Sequence, residues 1–282
     1  MTIDKKIVAI CVATFKRPEL LRNCLVSIGQ ITIPEGYTPI IIVVDNDSGG
    51  SGEISFNEAI KKIDFELYYN IEAERGISSA RNRLLKEALN HHADFIGFID
   101  DDEFPHSSWL NKHMMSINDF NADVVTGPVI PVDNNEPLDE KLFNNKFKTG
   151  HTPRHVAAGN VLFKSKLVND DKLWFDTKYN FTGGEDFHFF DRSSVKGHVH
   201  IWVAEAIIYE TIPEERRTKK YLFFRHFTGA INNVLQYKMN NETFSVWVHF
   251  ILKATGKLIG SIVCFITYLL SFNVNSICKC NS

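Results

Sequence analysis

The sequence predicts an α/β protein with a mostly parallel central sheet flanked by helices. Apolar, β-branched runs of strand length alternate with helical patterns through the N-terminal half. Polar or acidic residues follow the ends of these runs, at Thr14, Asp45 and Asp100. The 282-residue chain, 44% hydrophobic and 23% charged, has the composition of a globular protein with one large or two small domains.

The N-terminal elements follow from local patterns. Ile7–Ala13 is a continuous apolar run, typical of a strand buried on both faces. Pro18 then opens a helical pattern with apolar residues at i, i+3 and i+4. The same criteria predict three further strands, Ile40–Val44, Phe65–Asn70 and Phe95–Ile99. They also predict two further helices. The first is capped by Ser78 or Ser79 and ends near Asn90, and the second follows Pro105.

The C-terminal half is less regular. Strands are predicted over Val124–Pro131, Val156–Phe163 and His200–Val203, with an Asn-rich mobile loop over Asp133–Thr152. Gly183 and Gly184 precede Glu185 and Asp186 and place these two carboxylates at the start of a helix.

Three adjacent carboxylates, Asp100, Asp101 and Asp102, end the apolar run that starts at Phe95. Like charges at the end of a buried strand repel one another and raise one another's pKa, and a divalent cation relieves both effects. Ligands of parallel α/β sheets bind beyond the carboxyl ends of the strands, and hard oxygen ligands favour Mg²⁺ or Mn²⁺ with a phosphorylated substrate. The alternative is a surface loop of solvated carboxylates, and Glu103, which follows, is interpreted as a bystander.

Charge and cysteine content limit the function classes. The net charge of −3 gives no electrostatic support to a nucleic-acid partner, so an anionic substrate needs local arginines or a metal. The five cysteines are odd in number and lack metal-site spacing, which favours reduced thiols in a cytoplasmic protein. No signal peptide is expected at the N-terminus.

Five ordered motifs together resemble the inverting family 2 glycosyltransferases: Val12–Arg17, Val43–Asn46, Arg75–Asn82, Phe98–Asp102 and Gly183–Asp186. The resemblance covers Ile7 to Gly229. It implies the GT-A fold, a Rossmann-like fold of nucleotide-diphospho-sugar transferases. It also implies metal-dependent transfer of a single sugar from a UDP-sugar to a hydroxyl of a glycan acceptor, with Mn²⁺ or Mg²⁺ as cofactor. The family's Gln-x-x-Arg-Trp motif is absent from the sequence, which argues against processive polymer synthesis.

The resemblance also implies roles for individual residues on the donor side. Thr14 and Arg17 line the nucleotide pocket, Asp45 accepts a hydrogen bond from uracil, and Arg75 and Arg81 lie near the base and the phosphates. Asp102 binds the metal directly. Asp100 completes the metal site, and Asp100 or Asp101 holds the ribose or coordinates through water. Arg217 and His226 belong to a basic segment that closes over the diphosphate.

Each of these assignments has a structural alternative. Asp45 suits an Asx-turn, Arg81 a solvated helix face, and His226 an ordinary helix face. By resemblance Asp186 is the general base, with Glu185 nearby in acceptor or sugar binding; the alternative is an acidic helix N-terminus. Gly159 and Asn160 lie either beside the donor sugar or in a buried turn.

The C-terminal tail is predicted to be a helical, membrane-associating segment. We divide the chain into a glycosyltransferase domain, residues 1–240, and a tail, residues 241–282. Leu258–Val274 is apolar apart from Gly, Ser, Thr and Asn and would form a helix about 25 Å long, slightly short for a bilayer core of about 30 Å. Monotopic attachment is the leading interpretation, with a short span and a core or dimer helix as alternatives.

Membrane attachment suits a lipid-linked glycan or glycolipid acceptor in polysaccharide or lipopolysaccharide assembly, on the cytoplasmic side of the membrane. The sequence leaves oligomer formation open.

Two other functions are alternatives to a glycosyltransferase. A nucleotidyltransferase would need a glycine-rich phosphate loop after the first strand, which Thr14–Arg17 lacks. A lapsed sugar-nucleotide-binding protein would be free to lose the carboxylates of Asp102 and Asp186.

Overall fold

The computed structural model describes residues 5–133, 136–137 and 147–211, together with residues 218 and 255. The chain divides into two compact units, Met1–Leu222 and Phe223–Ser282, and the fold described below belongs to the first. Arg217, His226 and the apolar tail segment lie outside the described residues, so their assignments and the boundary at residue 240 stay predictions. No helix within the described ranges has the length and apolar character needed to cross a bilayer.

A seven-stranded sheet forms the centre of this unit. Its strands are β1 (Lys6–Thr14), β2 (Tyr37–Asp45), β3 (Glu66–Ile71), β4 (Phe95–Phe98), β6 (Val124–Thr126), β9 (Val161–Lys164) and β10 (His200–Trp202). They lie in the order β10-β6-β9-β4-β1-β2-β3. All neighbours are parallel except β9, which runs antiparallel to both β4 and β6. The predicted mostly parallel sheet is therefore confirmed.

A second sheet contains β5 (Glu103–Pro105), β7 (Val129–Asp133), β8 (Glu136–Pro137) and β11 (Ile208–Thr211), in the order β5-β11-β7-β8. The single strand predicted over Val124–Pro131 is wrong, because β6 and β7 belong to different sheets. A Cβ on Gly127 would lie 2.3 Å from the Ala206 carbonyl oxygen, and Pro128 has no N–H to donate to a ladder. Only glycine fits at this position, where the chain passes from the first sheet to the second. Likewise, β8 lies inside the stretch predicted as a loop.

Helices cover both faces of the central sheet. They are α1 (Pro18–Ile28), α2 (Glu53–Ala59), α3 (Ile77–Asn90), α4 (Trp109–Asp119), α5 (Lys166–Asn169) and α6 (Glu185–Val195), with short 3₁₀ turns at Ile60–Lys62 and Thr177–Tyr179. Alternate residues of β1 point to opposite cores: Val8 and Ile10 pack with α1 and α4, whereas Ala9 and Cys11 pack with α3 and α6. This two-sided burial is what the continuous apolar run predicts.

Two predicted boundaries are corrected by contacts distant in sequence. Helix α3 begins at Ile77, so Ser78 and Ser79 lie in its first turn and do not cap it. Instead, Oδ1 of Asn180 accepts a hydrogen bond from the Ser79 N–H at 2.9 Å. The strand predicted over Val156–Phe163 is shortened to β9, because the Ala158 N–H bonds Oδ2 of Asp186, at 3.2 Å, and not a neighbouring strand.

Candidate active site

The sheet register brings the predicted donor-side residues to one edge. Thr14 pairs with Asp45 at the ends of β1 and β2, and Cys11 pairs with Phe98 on β4, two residues before the acidic loop Asp100–Asp102. Because these three strands are parallel, their carboxyl ends meet at the same edge. The predicted convergence of Thr14, Asp45 and the acidic loop is therefore confirmed.

The acidic loop is held by side chains that follow β1. The Thr14 hydroxyl donates to Oδ2 of Asp101 at 2.8 Å. Arg17 Nη1 donates to Asp101 Oδ1 at 3.0 Å and to Asp102 Oδ2 at 3.2 Å. Burial raises the pKa of Asp101 to about 6, and the bonds from Thr14 and Arg17 oppose that rise. Asp101 and Asp102 are both buried, so the solvated-loop alternative is wrong.

Glu103 holds the backbone of the acidic loop, so its interpretation as a bystander is wrong. It is buried, and one carboxyl oxygen, Oε2, accepts a hydrogen bond from the Asp100 N–H at 2.8 Å. A Cβ on Gly159 would lie 2.3 Å from its other oxygen, so the Gly159 backbone closes over this carboxyl group. Burial and the nearby charge of Asp100 raise the pKa of Glu103 well above its usual value. Only the position directly after the three aspartates could have signalled this role.

Arg81 joins the acidic loop to Glu185, at the start of α6. Its side chain is buried; Nη1 donates to Glu185 Oε1, and Nη2 donates to Asp100 Oδ1 at 3.3 Å. The solvated helix face considered for Arg81 is therefore wrong. The guanidinium binds carboxylates of the protein itself, and contact with a phosphate stays a prediction.

Glu185 and Asp186 lie in the first turn of α6, after a turn in which Gly183 and Gly184 have φ values of 73° and 88°. Two consecutive positive φ values favour glycine, which explains the pair. Asp186 Oδ1 accepts from the Phe187 N–H at 2.8 Å and Oδ2 from the Ala158 N–H. Glu185 is buried, which raises its pKa, while the charge of Arg81 opposes the rise. Asp186, only partly buried, is thus oriented by neutral backbone donors.

The residues after β2 shape the neighbouring loops. Asp45 is fully buried and its carboxylate accepts from the N–H groups of Asp47 and Gly52 at 2.9 and 2.7 Å, and from the Tyr69 hydroxyl at 2.8 Å. The Asx-turn is therefore present, and recognition of uracil by Asp45 stays a prediction. Arg75 is exposed, with Cζ 4.7 Å from the centre of the Phe15 ring.

Asn46, which belongs to the motif Val43–Asn46, holds the segment after β3 in place through its side chain. Its Nδ2 donates to the carbonyl oxygens of Glu72 and Glu74 at 3.0 and 2.8 Å, and its Oδ1 accepts from the Gly76 N–H at 2.7 Å. One side chain thus fixes the segment that carries Arg75. Its partners lie more than twenty-five residues away, so no local pattern reveals them.

Asn160 lies in a buried turn, which is one of the two interpretations of the sequence; the other is a position beside the donor sugar. Its Oδ1 accepts from Trp109 Nε1 at 2.8 Å and from His113 Nε2 at 3.0 Å, and its Nδ2 donates to the carbonyl oxygens of Pro128 and Ala206. All the hydrogen-bonding capacity of this amide is used inside the protein. Burial lowers the pKa of His113 to about 4.

The donor set of the acidic loop suits a hard divalent cation bound together with a substrate. Within the described ranges, no group of three or more His, Cys, Asp or Glu side chains could hold a metal ion by itself. Mg²⁺ and Mn²⁺ are often bound by one or two carboxylates, with substrate phosphates completing the coordination. The Asp100 side chain is 43% exposed, which leaves its carboxylate accessible for such a site.

Comparison with known proteins identifies the family. Residues 9–174 match the family model described as glycosyl transferase family 2. The chain belongs to glycosyl transferase family 2. It is 27% identical over 232 residues to the succinoglycan biosynthesis protein ExoM of Rhizobium meliloti, covering 78% of this chain and 71% of ExoM. It is 22% identical over 234 residues to the chondroitin synthase of Pasteurella multocida, covering 69% of this chain but 24% of that protein.

Solved structures share the GT-A fold of this family 2 member. S. aureus TarS in complex with UDP-GlcNAc has a TM-score of 0.58 at 18% identity, over 73% of this chain and 59% of that one. The mannosyltransferase PcManGT from Pyrobaculum calidifontis, in complex with GDP-Man and Mn²⁺, has a TM-score of 0.62 at 20% identity, over 80% and 61% of the two chains. The chain thus spans less than two thirds of each structure. The GT-A fold that the motifs imply is confirmed.

Proposed function

We propose that this glycosyltransferase is a metal-dependent, inverting enzyme that moves one sugar from a UDP-sugar to a hydroxyl of a glycan acceptor. The protein has two carboxylate centres, the acidic loop Asp100–Asp102 and the pair Glu185 and Asp186. The observation that carries the proposal is that Arg81 links these two centres, at the carboxyl edge of the sheet. A direct displacement of a diphosphate needs a site for a cation, which the acidic loop would supply, and a proton acceptor, which the partly exposed carboxylate of Asp186 would supply.

On the donor side, Asp102 and Asp100 would hold Mn²⁺ or Mg²⁺ under the diphosphate. A bound cation would neutralise charge on the departing UDP. Thr14 and Arg17 fix the acidic loop through Asp101 and Asp102, which supports their place beside the nucleotide. Asp45, through the loop after β2, and Arg75, beside Phe15, are proposed to border the base.

On the acceptor side, Asp186 is the proposed general base. Its carboxylate takes the proton of the acceptor hydroxyl as the acceptor oxygen bonds the anomeric carbon, while the bond from that carbon to the UDP oxygen breaks. One displacement of this kind inverts the anomeric configuration and needs no covalent intermediate. The hydrogen bonds from the Ala158 and Phe187 N–H groups hold the carboxylate in place.

The acceptor class is proposed from the relatives and from the tail sequence. ExoM is named for succinoglycan biosynthesis, which supports a polysaccharide or glycolipid acceptor. The apolar stretch Leu258–Val274 supports a lipid-linked acceptor and peripheral or monotopic attachment at the cytoplasmic side of a membrane. A single addition is proposed because the sequence lacks the Gln-x-x-Arg-Trp motif.

Calorimetric titration with UDP tests the donor side. We expect binding in the presence of Mn²⁺ that weakens by about a hundredfold in EDTA, because the diphosphate then meets three carboxylates with no intervening cation. Asp102→Ala should reproduce the EDTA result even with Mn²⁺ present. GDP serves as the competing nucleotide, since PcManGT binds GDP-Man. Equal UDP affinity with Mn²⁺ and with EDTA would contradict the metal assignment, and tighter binding of GDP would contradict the UDP assignment.

A further inference from the structure

We propose that Arg81 is a positioning residue that couples the two carboxylate centres, so that the charge of Glu185 controls how tightly the acidic loop binds a divalent cation with UDP. The inference rests on the proposed function, since it takes Asp100 as a cation ligand. It goes further by giving Arg81 and Glu185, together, a role in donor affinity although Glu185 lies on the helix of the base.

The geometry of the Arg81 guanidinium carries this inference. Its two terminal nitrogens bind carboxylates on two different elements, Glu185 on α6 and Asp100 on the acidic loop. The Arg81 and Glu185 side chains are each 6% exposed, whereas that of Asp100 is 43% exposed. One end of the bridge is therefore shielded from water and the other faces solvent, where a ligand can reach it.

The charges set the direction of the coupling. In the described part of the chain, the buried Oε2 of Glu185 has no hydrogen-bond partner, so Arg81 supplies the main compensation for this carboxylate. Asp100 shares the same positive charge. If the charge of Glu185 is removed, Asp100 is the carboxylate that remains hydrogen-bonded to the guanidinium, with the charge of Asp186 nearby, and the guanidinium competes more strongly with a cation at Asp100. By linkage, a cation on Asp100 should in turn strengthen the pair between Arg81 and Glu185.

A double-mutant cycle tests the coupling, with UDP and Mn²⁺ as the probes in calorimetry. We expect Glu185→Gln to weaken Mn²⁺-dependent UDP binding by about fivefold or more. In an Arg81→Lys background the same substitution should change the affinity by less than about twofold. The lysine ammonium keeps the charge, but it cannot fork between two carboxylates. An Arg81→Met background, where it folds, should give the same result.

The controls separate coupling from general damage. Asp191→Asn neutralises another carboxylate of α6, one that does not bond Arg81, and should leave UDP affinity within about twofold. Thermal unfolding of each variant shows that it is folded. Equal effects of Glu185→Gln in both backgrounds, or no effect in the wild type, overturn the coupling. If the wild type itself shows no Mn²⁺-dependent UDP binding, the proposed function has failed, and the coupling with it.

Discussion

The two carboxylate centres of this glycosyltransferase are held in different ways. Asp101 and Asp102 are buried and bonded by side chains, chiefly the Arg17 guanidinium. Asp186 is only partly buried and receives its hydrogen bonds from backbone N–H groups. A loop suited to a cation needs a resident positive charge to remain folded without one, because close carboxylates repel. An ion pair on the oxygens of a general base would stabilise the deprotonated carboxylate and make it a weaker proton acceptor, so neutral donors suit a general base better.

Asp186→Asn should give the largest effect, because it removes the proton acceptor and leaves the donor side intact. We expect turnover, measured as UDP release from a UDP-sugar, to fall by about a thousandfold. Calorimetric affinity for UDP with Mn²⁺ should stay within about twofold of the wild-type value. Residual turnover within about tenfold of the wild type would show that another group accepts the proton, and the contrast between the centres would then be wrong.

Gly159→Ala tests the point where the two centres meet. The new Cβ would lie 2.3 Å from Glu103 Oε1, and the preceding residue, Ala158, bonds Asp186. Moving a buried carboxyl group should cost about 1–3 kcal/mol in the free energy of unfolding, measured with urea. Gly49→Ala is the control, because its nearest atom, Asp47 Oδ2, is 3.5 Å away. If both variants lose the same stability, close packing of Glu103 against Gly159 is not important.

The stability of the buried turn at Asn160 should depend on pH, because His113 bonds the Asn160 side chain. The pKa of His113 is about 4 in the folded protein, below its ordinary value of 6.5. The unfolded state therefore binds the proton more readily, and stability present above pH 6.5 is lost as the pH falls toward 4. We expect the free energy of unfolding to fall by up to about 2 kcal/mol from this group between pH 7 and pH 5.

His113→Gln keeps a donor for Asn160 and removes the titrating group. Its free energy of unfolding should therefore vary less steeply than that of the wild type between pH 7 and pH 5, in urea titrations at each pH. Parallel curves for the two proteins would show that His113 binds protons equally in the folded and the unfolded state over this range, so that folding does not lower its pKa. In that case the pH dependence comes from other groups.

The sequence predicts the N-terminal half well because its signals are local. β1 and α1 follow from one apolar run and one proline, and the parallel order places Thr14 and Asp45 side by side. What it misses depends on distant contacts. The cap of α3 comes from Asn180, and the role of Glu103 depends on Gly159. Long-range contacts of this kind leave no periodic pattern in the residues that make them.

In the C-terminal half, steric crowding matters more than hydrophobic pattern. Val124–Pro131 reads as one apolar run, yet the chain passes from one sheet to the other at Gly127, where the Ala206 carbonyl leaves no room for a Cβ. The sequence predicts the position of Gly183–Asp186 at the start of a helix correctly, because the positive φ values before α6 favour glycine. The sequence did not show that Arg81 reaches this motif, since polarity alone suggests an exposed side chain for an arginine.

The position of β9 has a consequence for how the chain folds during synthesis. β1 to β4 are complete at Phe98, but the free edge of β4 is covered only by β9, which begins at Val161. At ordinary rates of translation the nascent sheet waits several seconds with an unpaired edge strand. Exposed edges of this kind pair readily with other chains. A chain that stops before Val161 should therefore aggregate, even though it contains every strand that forms the donor side of the site.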